Sequence, residues 1–334
     1  MDKIKFTILG ETGSGKTCYL LGMYYEMSAG RDGYSIVAPN RDESRRLVAN
    51  FKNLTDASLG RKRFPEMTDA LQKYNFELQH AFNTILPFEW IDYPGKWLDV
   101  SESASSGLTE VENSIYNSTA LFICIDGENL TGNDTAEKIE RVRDKCSRHI
   151  SPYLAQLSGK NRGRKFPPIA LIITKYDLCN RETDEEEILE VLQGSFSPLF
   201  ERDDTFIVIV PVSLGSDLQD DDSRGKFSPI NLHLPIYMGI WFALKNYIAD
   251  LKRQIEVDKR TISNYNEMIR DEQDRFFLFK SNDKILSWRN RISENESEIR
   301  RLQNEISAMK QSYDRLEREL YSINLTFING RRRK

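Results

Sequence analysis

Eight residues near the start of the chain, Gly10-Glu11-Thr12-Gly13-Ser14-Gly15-Lys16-Thr17, fit the pattern G-x-x-x-x-G-K-[ST] at every fixed position. Each residue type has a physical reason to be there. Glycines let the backbone turn tightly and aim its N–H groups inward at an anion. A helix starting near Lys16 adds the positive end of its dipole. The Lys16 ammonium can reach β- and γ-phosphates, and the Thr17 hydroxyl can ligate Mg²⁺. The apolar run Lys5–Leu9 before it reads as a strand and Thr17–Met27 after it as a helix, the setting a phosphate-binding loop needs. Gly10, Gly13, Ser14, Gly15, Lys16, Thr17 and the adjacent Cys18 are therefore the candidate phosphate contacts.

Three further stretches narrow the ligand. ILPFEWIDYPG ends a strand with Asp92, placed to hold Mg²⁺ through water, and puts Gly95 three residues later, where its N–H would meet a γ-phosphate. IALIITKYDL ends a strand with Thr174-Lys175-Tyr176-Asp177. The Asp177 carboxylate can accept both the N1–H and the 2-amino group of guanine, whereas adenine offers neither and would leave it unpaired. The Lys175 stem can lie over the base. FIVIVPVSLG ends another strand at Ser213-Leu214-Gly215, where a backbone N–H of Ser213 or Leu214 can bind the guanine carbonyl. All four motifs fall at the carboxyl ends of strands, the edge at which an open α/β sheet binds its ligand.

With GETGSGKT, DYPG, TKYD and VSLG in this order, residues 1–225 resemble the Ras-like P-loop GTPases of the TRAFAC class. The resemblance implies an α/β three-layer domain, GTP or GDP as ligand, Mg²⁺ as cofactor, slow hydrolysis of GTP to GDP and phosphate, and loops switched by the nucleotide. On it, Lys16 and a switch-one threonine, Thr68 in FPEMTDAL, are the candidate catalytic residues, and Thr17, Thr68 and Asp92 the metal ligands; Thr68 reads equally as a helix cap or loop hydroxyl. Two departures stand out. The stretch from Gly10 to Asp92 is longer than a compact domain of this kind needs, so residues 30–70 hold an insertion before switch one. The residue after Gly95 is Lys96, where such enzymes commonly use glutamine to orient the attacking water. An ammonium cannot accept the water proton. Glu66, Glu89 or a group from a partner are the candidates to replace it. The chain therefore reads as a regulatory GTPase, with two alternatives: a GTP-binding scaffold with little hydrolysis, and an ATP-using P-loop enzyme, against which TKYD argues.

These motifs need a sheet to hold them. Strand candidates run over Lys5–Leu9, Tyr74–Gln79, Phe88–Ile91, Ala120–Ile125, Ile169–Thr174 and Phe206–Val212. Helix candidates run over Thr17–Met27, Glu43–Leu54, Thr109–Asn117, Ala136–Leu157 and Glu185–Leu192. The alternation predicts a mostly parallel α/β sheet over residues 1–230. From Ile236 to Ile323 there is no proline, and two apolar seams at heptad spacing, Trp241–Phe276 and Ile285–Ile323, flank the polar turn Ser281-Asn282-Asp283. Matched arms around a turn predict an antiparallel coiled-coil hairpin over 231–326 rather than one continuous dimerising helix, with Phe276, Phe277, Phe279 and Trp288 clustered at its tip as a surface for self-association or a protein partner. Residues 327–334 form a basic tail.

Composition excludes little else. Of 334 residues, 39% are hydrophobic and 29% charged, and the net charge is −4, which gives no global argument for nucleic acid or a membrane surface. Four scattered cysteines without a CxxC pair fit a reducing cytosol, and no zinc pattern is present. MDKIKFTIL enters a strand directly without the features of a signal peptide, and no run of 18 apolar residues predicts a transmembrane helix, so the expected location is the cytoplasm.

Overall fold

In a computed structural model, the protein is described over residues 4–66, 70–98, 105–160, 166–179, 183–218, 225–274, 281–323 and 325–333. The chain divides into two compact units, residues 2–242 with 318–334, and residues 243–317.

The first unit is built on a nine-stranded sheet. Its strands are β1 (Ile4–Leu9), β2 (Tyr34–Val37), β3 (Gln72–His80), β4 (Asn83–Asp92), β5 (Ala120–Asp126), β6 (Ile169–Thr174), β7 (Phe206–Pro211), β8 (Thr326–Ile328) and β9 (Arg331–Arg332). They lie in the order β2-β3-β4-β1-β5-β6-β7-β8-β9. β4, β1, β5, β6 and β7 run parallel. The pairs β2/β3, β3/β4, β7/β8 and β8/β9 are antiparallel. Every residue of β5 and β6 is buried, as the unbroken apolar runs ALFICID and IALIIT require of strands covered on both faces.

The helices of this unit are α1 (Lys16–Ala29), α2 (Arg41–Thr55), α3 (Ser105–Tyr116), α4 (Thr135–Val142), α5 (Arg148–Lys160), α6 (Tyr176–Cys179), α7 (Glu185–Ser195) and α8 (Ser197–Phe200). The single helix expected over Ala136–Leu157 is α4 and α5 joined by a π-helical turn, Arg143–Ser147. The expected insertion contains β2, α2 and a 3-10 segment, Ala57–Arg63. β2 escaped the sequence reading because YSIV is only four residues long and sits among turn residues.

Two long helices follow, α9 (His233–Gln273) and α10 (Asn282–Tyr321), each about 60 Å at 1.5 Å per residue. The first ten residues of α9 belong to the sheet unit. Ile236, Met238, Ile240 and Trp241 are buried there. Gly239 lets the helix lie against Phe6 and Phe122 on the sheet, since a Cβ would stand 3.0 and 3.1 Å from their rings.

In the second unit α9 and α10 run antiparallel: the Tyr247 hydroxyl lies 2.5 Å from a Glu305 carboxylate oxygen, and Arg291 donates to Tyr265 Oη at 3.1 Å. Leu251, Ile255 and Leu302 form its small core, with Tyr247, Ile299 and Ile306 against it. Ser281 N donates to Glu272 Oε1 at 2.8 Å and the Ser281 hydroxyl caps Lys284 N at 3.4 Å, so the turn residue read from the sequence starts α10. Trp288 is half-buried; Phe276, Phe277 and Phe279 lie outside the described residues. Thr326, expected at the end of the hairpin, and residues 327–332 of the expected basic tail 327–334 return to the sheet as β8 and β9, and Arg332 pairs with Glu186 at 2.6 Å.

Candidate functional site

The loop between β1 and α1 curls with Gly10, Gly13 and Gly15 all at positive φ, 152°, 85° and 81°. Gly15 caps α1 in the left-handed conformation. Lys16 is the first residue of α1 and only 7% exposed. Its ammonium donates to the carbonyls of Gly10 and Glu11, each at 2.8 Å. Burial lowers its pKa, opposed by the Asp92 charge. A lysine curled back onto its own loop is held desolvated beside the place where a phosphate would arrive.

Thr17 lies one residue into α1, and its hydroxyl donates to Asp92 Oδ2 at 3.2 Å. Asp92 ends β4 fully buried, and burial pushes its carboxyl up to about 6, against the pull of Lys16 and Thr17. Its other oxygen, Oδ1, is buried with no hydrogen-bond partner among the described residues. A buried unpaired carboxylate oxygen beside a threonine hydroxyl is a hard-oxygen donor pair that fits Mg²⁺ completed by water and phosphate. No cluster of three His, Cys, Asp or Glu that could hold a metal by itself occurs among the described residues. Thr68, the expected third ligand, lies outside them.

Gly95 comes down directly on the phosphate loop: a Cβ there would stand 2.2 Å from Thr12 N and 2.6 Å from the Glu11 carbonyl carbon. Lys96 beside it is exposed. Of the two carboxylates suggested as its substitutes, Glu66 lines the central cavity, while Glu89 is 8% exposed within β4.

The strand ends that carry TKYD and VSLG are cross-tied. Thr174 donates its hydroxyl to Ser14 O at 2.8 Å and to Ile125 O at 3.2 Å, which ties β6 to the phosphate loop and to β5. Lys175 adopts a left-handed φ of 49°, and its ammonium bonds Asp126 Oδ2 at 2.6 Å with Glu128 Oε1 at 3.4 Å. The Ser213 hydroxyl is hydrogen-bonded to Asp177 Oδ1 and accepts from Gly215 N at 2.8 Å. The third loop thus orients the carboxylate of the second through a side chain, a role that the sequence reading did not give Ser213.

These parts enclose one cavity of about 570 Å³. Gly13, Gly15, Lys16, Thr17, Cys18 and Gly95 line one end; Thr174, Lys175, Asp177, Ser213 and Leu214 line the other. Gly10 and Ser14 brace the loop rather than line the cavity: the Ser14 hydroxyl donates to Glu11 O at 2.9 Å. Asp92 meets the site through Thr17. The structure adds what the sequence reading missed. Leu54 of α2, Phe64 after the 3-10 segment and Leu232 before α9 form apolar walls. Asp126 and Glu128 hold Lys175; the signal was present in ALFICID, a buried strand ending in a carboxylate as β4 does.

Residues 6–208 match the family model described as Double-GTPase 2. No curated protein sequence matches the chain significantly. Among solved structures, the mammalian SRP receptor matches at 11% identity and a TM-score of 0.35 over 63% of this chain and 90% of that one. The GTPase-like domain of S. cerevisiae Ski7 bound to GTP matches at 17% identity and a TM-score of 0.37 over 66% of this chain, and this chain spans 45% of the Ski7 chain.

Proposed function

The chain belongs to the Double-GTPase 2 family, and from that premise we propose that it is a regulatory GTPase whose cavity takes GTP with Mg²⁺ and whose long helices pass the nucleotide state to a protein partner or a second copy. One observation supports this above others: a single cavity joins Lys16 on a glycine-rich loop to an Asp177 carboxylate already oriented by Ser213.

In this reading the triphosphate displaces the Gly10 and Glu11 carbonyls from the Lys16 ammonium and takes the N–H groups of the loop. Thr17 and Asp92 would hold Mg²⁺, which would supply neutralisation of phosphate charge. Asp177 accepts from guanine N1–H and the 2-amino group, and the Lys175 stem covers one face of the base. A γ-phosphate engages Gly95 N–H, so the segment after it reports whether that phosphate is present. Among the described residues no helix is long and apolar enough to cross a membrane.

Calorimetry with GTP, GDP and ATP tests the reading. GTP and GDP should bind at least a hundredfold more tightly than ATP, and Asp177→Asn should shift preference towards xanthine nucleotides, whose 2-carbonyl accepts from the new amide. Equal or tighter binding of ATP would sink it. The exposed Lys96 favours a second reading, a GTP-binding scaffold with little turnover. Multiple-turnover phosphate release by the pure protein would remove that alternative.

A further inference from the structure

The base end of the cavity is hydrogen-bonded to the segment that begins α9. Ser213 N donates to Ile230 O at 3.2 Å and Ile230 N donates back to Ser213 O at 2.9 Å. Ser228 N donates to Leu214 O at 2.9 Å, and the Asn231 side chain donates to Pro211 O at 3.1 Å. Three residues past Ile230, α9 starts at His233.

Leu232 sits between that bridge and the helix. It is 1% exposed yet lines the cavity together with Lys175, Asp177 and Ser213. Its carbonyl accepts from Tyr19 Oη of α1 at 3.0 Å. On the same helix Gly22 leaves the space that Leu214 and Leu232 fill, since a Cβ would stand 2.2 Å from Leu214 Cδ2 and 3.2 Å from Leu232 Cδ1. Asn231 holds the turn at a φ of 54°, a conformation asparagine tolerates better than most residues.

We infer that Leu232 is a wall of the base subsite, positioned by Asn231, so that a bound purine base bears directly on the first turn of α9. The inference rests on the guanine-nucleotide reading of the cavity. A base seated between Lys175 and Asp177 excludes water from Leu232 and braces Ser213 and Leu214, to which the 228–231 segment is bonded. Only a ligand with contacts there can stabilise the helix root. An inorganic triphosphate fills the phosphate loop but leaves this end untouched. Base occupancy and γ-phosphate sensing are therefore separate inputs: GDP and GTP both supply the first at the root of α9, and only GTP adds the second at Gly95.

Amide hydrogen exchange on the full chain tests this, with GDP, a non-hydrolysable GTP analogue or tripolyphosphate, each at a concentration shown by calorimetry to saturate. Both nucleotides should slow exchange over residues 230–240 by about tenfold or more, and tripolyphosphate should change it less than twofold. Asn231→Gly keeps the left-handed turn but removes the side-chain bond. It should weaken GDP about three- to tenfold and leave tripolyphosphate affinity unchanged, a split that general destabilisation would not give. Bound GDP that leaves residues 230–240 unprotected, or equal protection by tripolyphosphate, overturns this inference alone. Absence of GDP binding removes both it and the reading beneath it.

Discussion

At Lys16 and Asp92 the protein holds opposite charges deep in one site, and burial pushes each towards its neutral form, Lys16 downwards and Asp92 up to about 6. On the proposed function, a phosphate would satisfy the first charge and a metal ion the second. His233 shows burial without that purpose. It is 5% exposed at the start of α9, its Nδ1 has no hydrogen-bond partner among the described residues, and its ring meets Tyr237 edge-on. Burial, then the nearby Arg31, hold its pKa down to about 4 against the opposing Asp32. The folded state therefore binds the proton less readily than the unfolded chain, whose histidine titrates near 6.5. Stability should be full above about pH 6.5 and fall as the pH drops from there towards 4. The loss approaches about 3 kcal/mol, and His233→Gln should flatten that part of the profile, as read by urea unfolding at a series of pH values.

At the scale of elements, the phosphate loop and the loop after β4 touch without a side chain between them, because position 95 is glycine. Gly95→Ala should force these loops apart. It should cost the GTP analogue about tenfold or more in affinity while GDP, which has no γ-phosphate to reach Gly95, changes less than threefold in titration calorimetry. DYPG and GETGSGKT marked both loops in the sequence as phosphate contacts, but not that the two pack against each other. The ties among the other loops were less legible. Asp126 with Lys175, and Ser213 with Asp177, are 49 and 36 residues apart in the chain and meet only because β5, β6 and β7 are neighbours in parallel register. Strand order has to be known before such pairs can be seen. The short strands failed for a different reason: four residues at β2 and three at β8 are too few to show a period.

At the scale of the whole molecule, the change of texture after Pro235 was visible but not what it means for packing. The apolar period runs unbroken through the point where α9 passes from one compact unit to the other, so periodicity gives no sign that residues 233–242 pack on the sheet. The second unit depends on a small core. Leu302 is 3% exposed among Leu251 and Ile255. Leu302→Ala should remove about 2–5 kcal/mol from the helical pair. Hydrogen exchange over residues 243–317 should accelerate, and GDP affinity should stay within twofold.

The return of the chain from α10 to the sheet also orders events in time. Val208 of β7 pairs with Thr326 of β8, more than a hundred residues later. A ribosome that has made the phosphate loop, the loops after β6 and β7 and five parallel strands has still not supplied the strand that covers the edge of β7. Until Thr326–Ile328 is made, that edge offers open N–H and C=O groups to any extended chain nearby. The parallel strands are thus made before the long helices and their β7 edge is sealed only after them, so both helices must be made before the sheet closes.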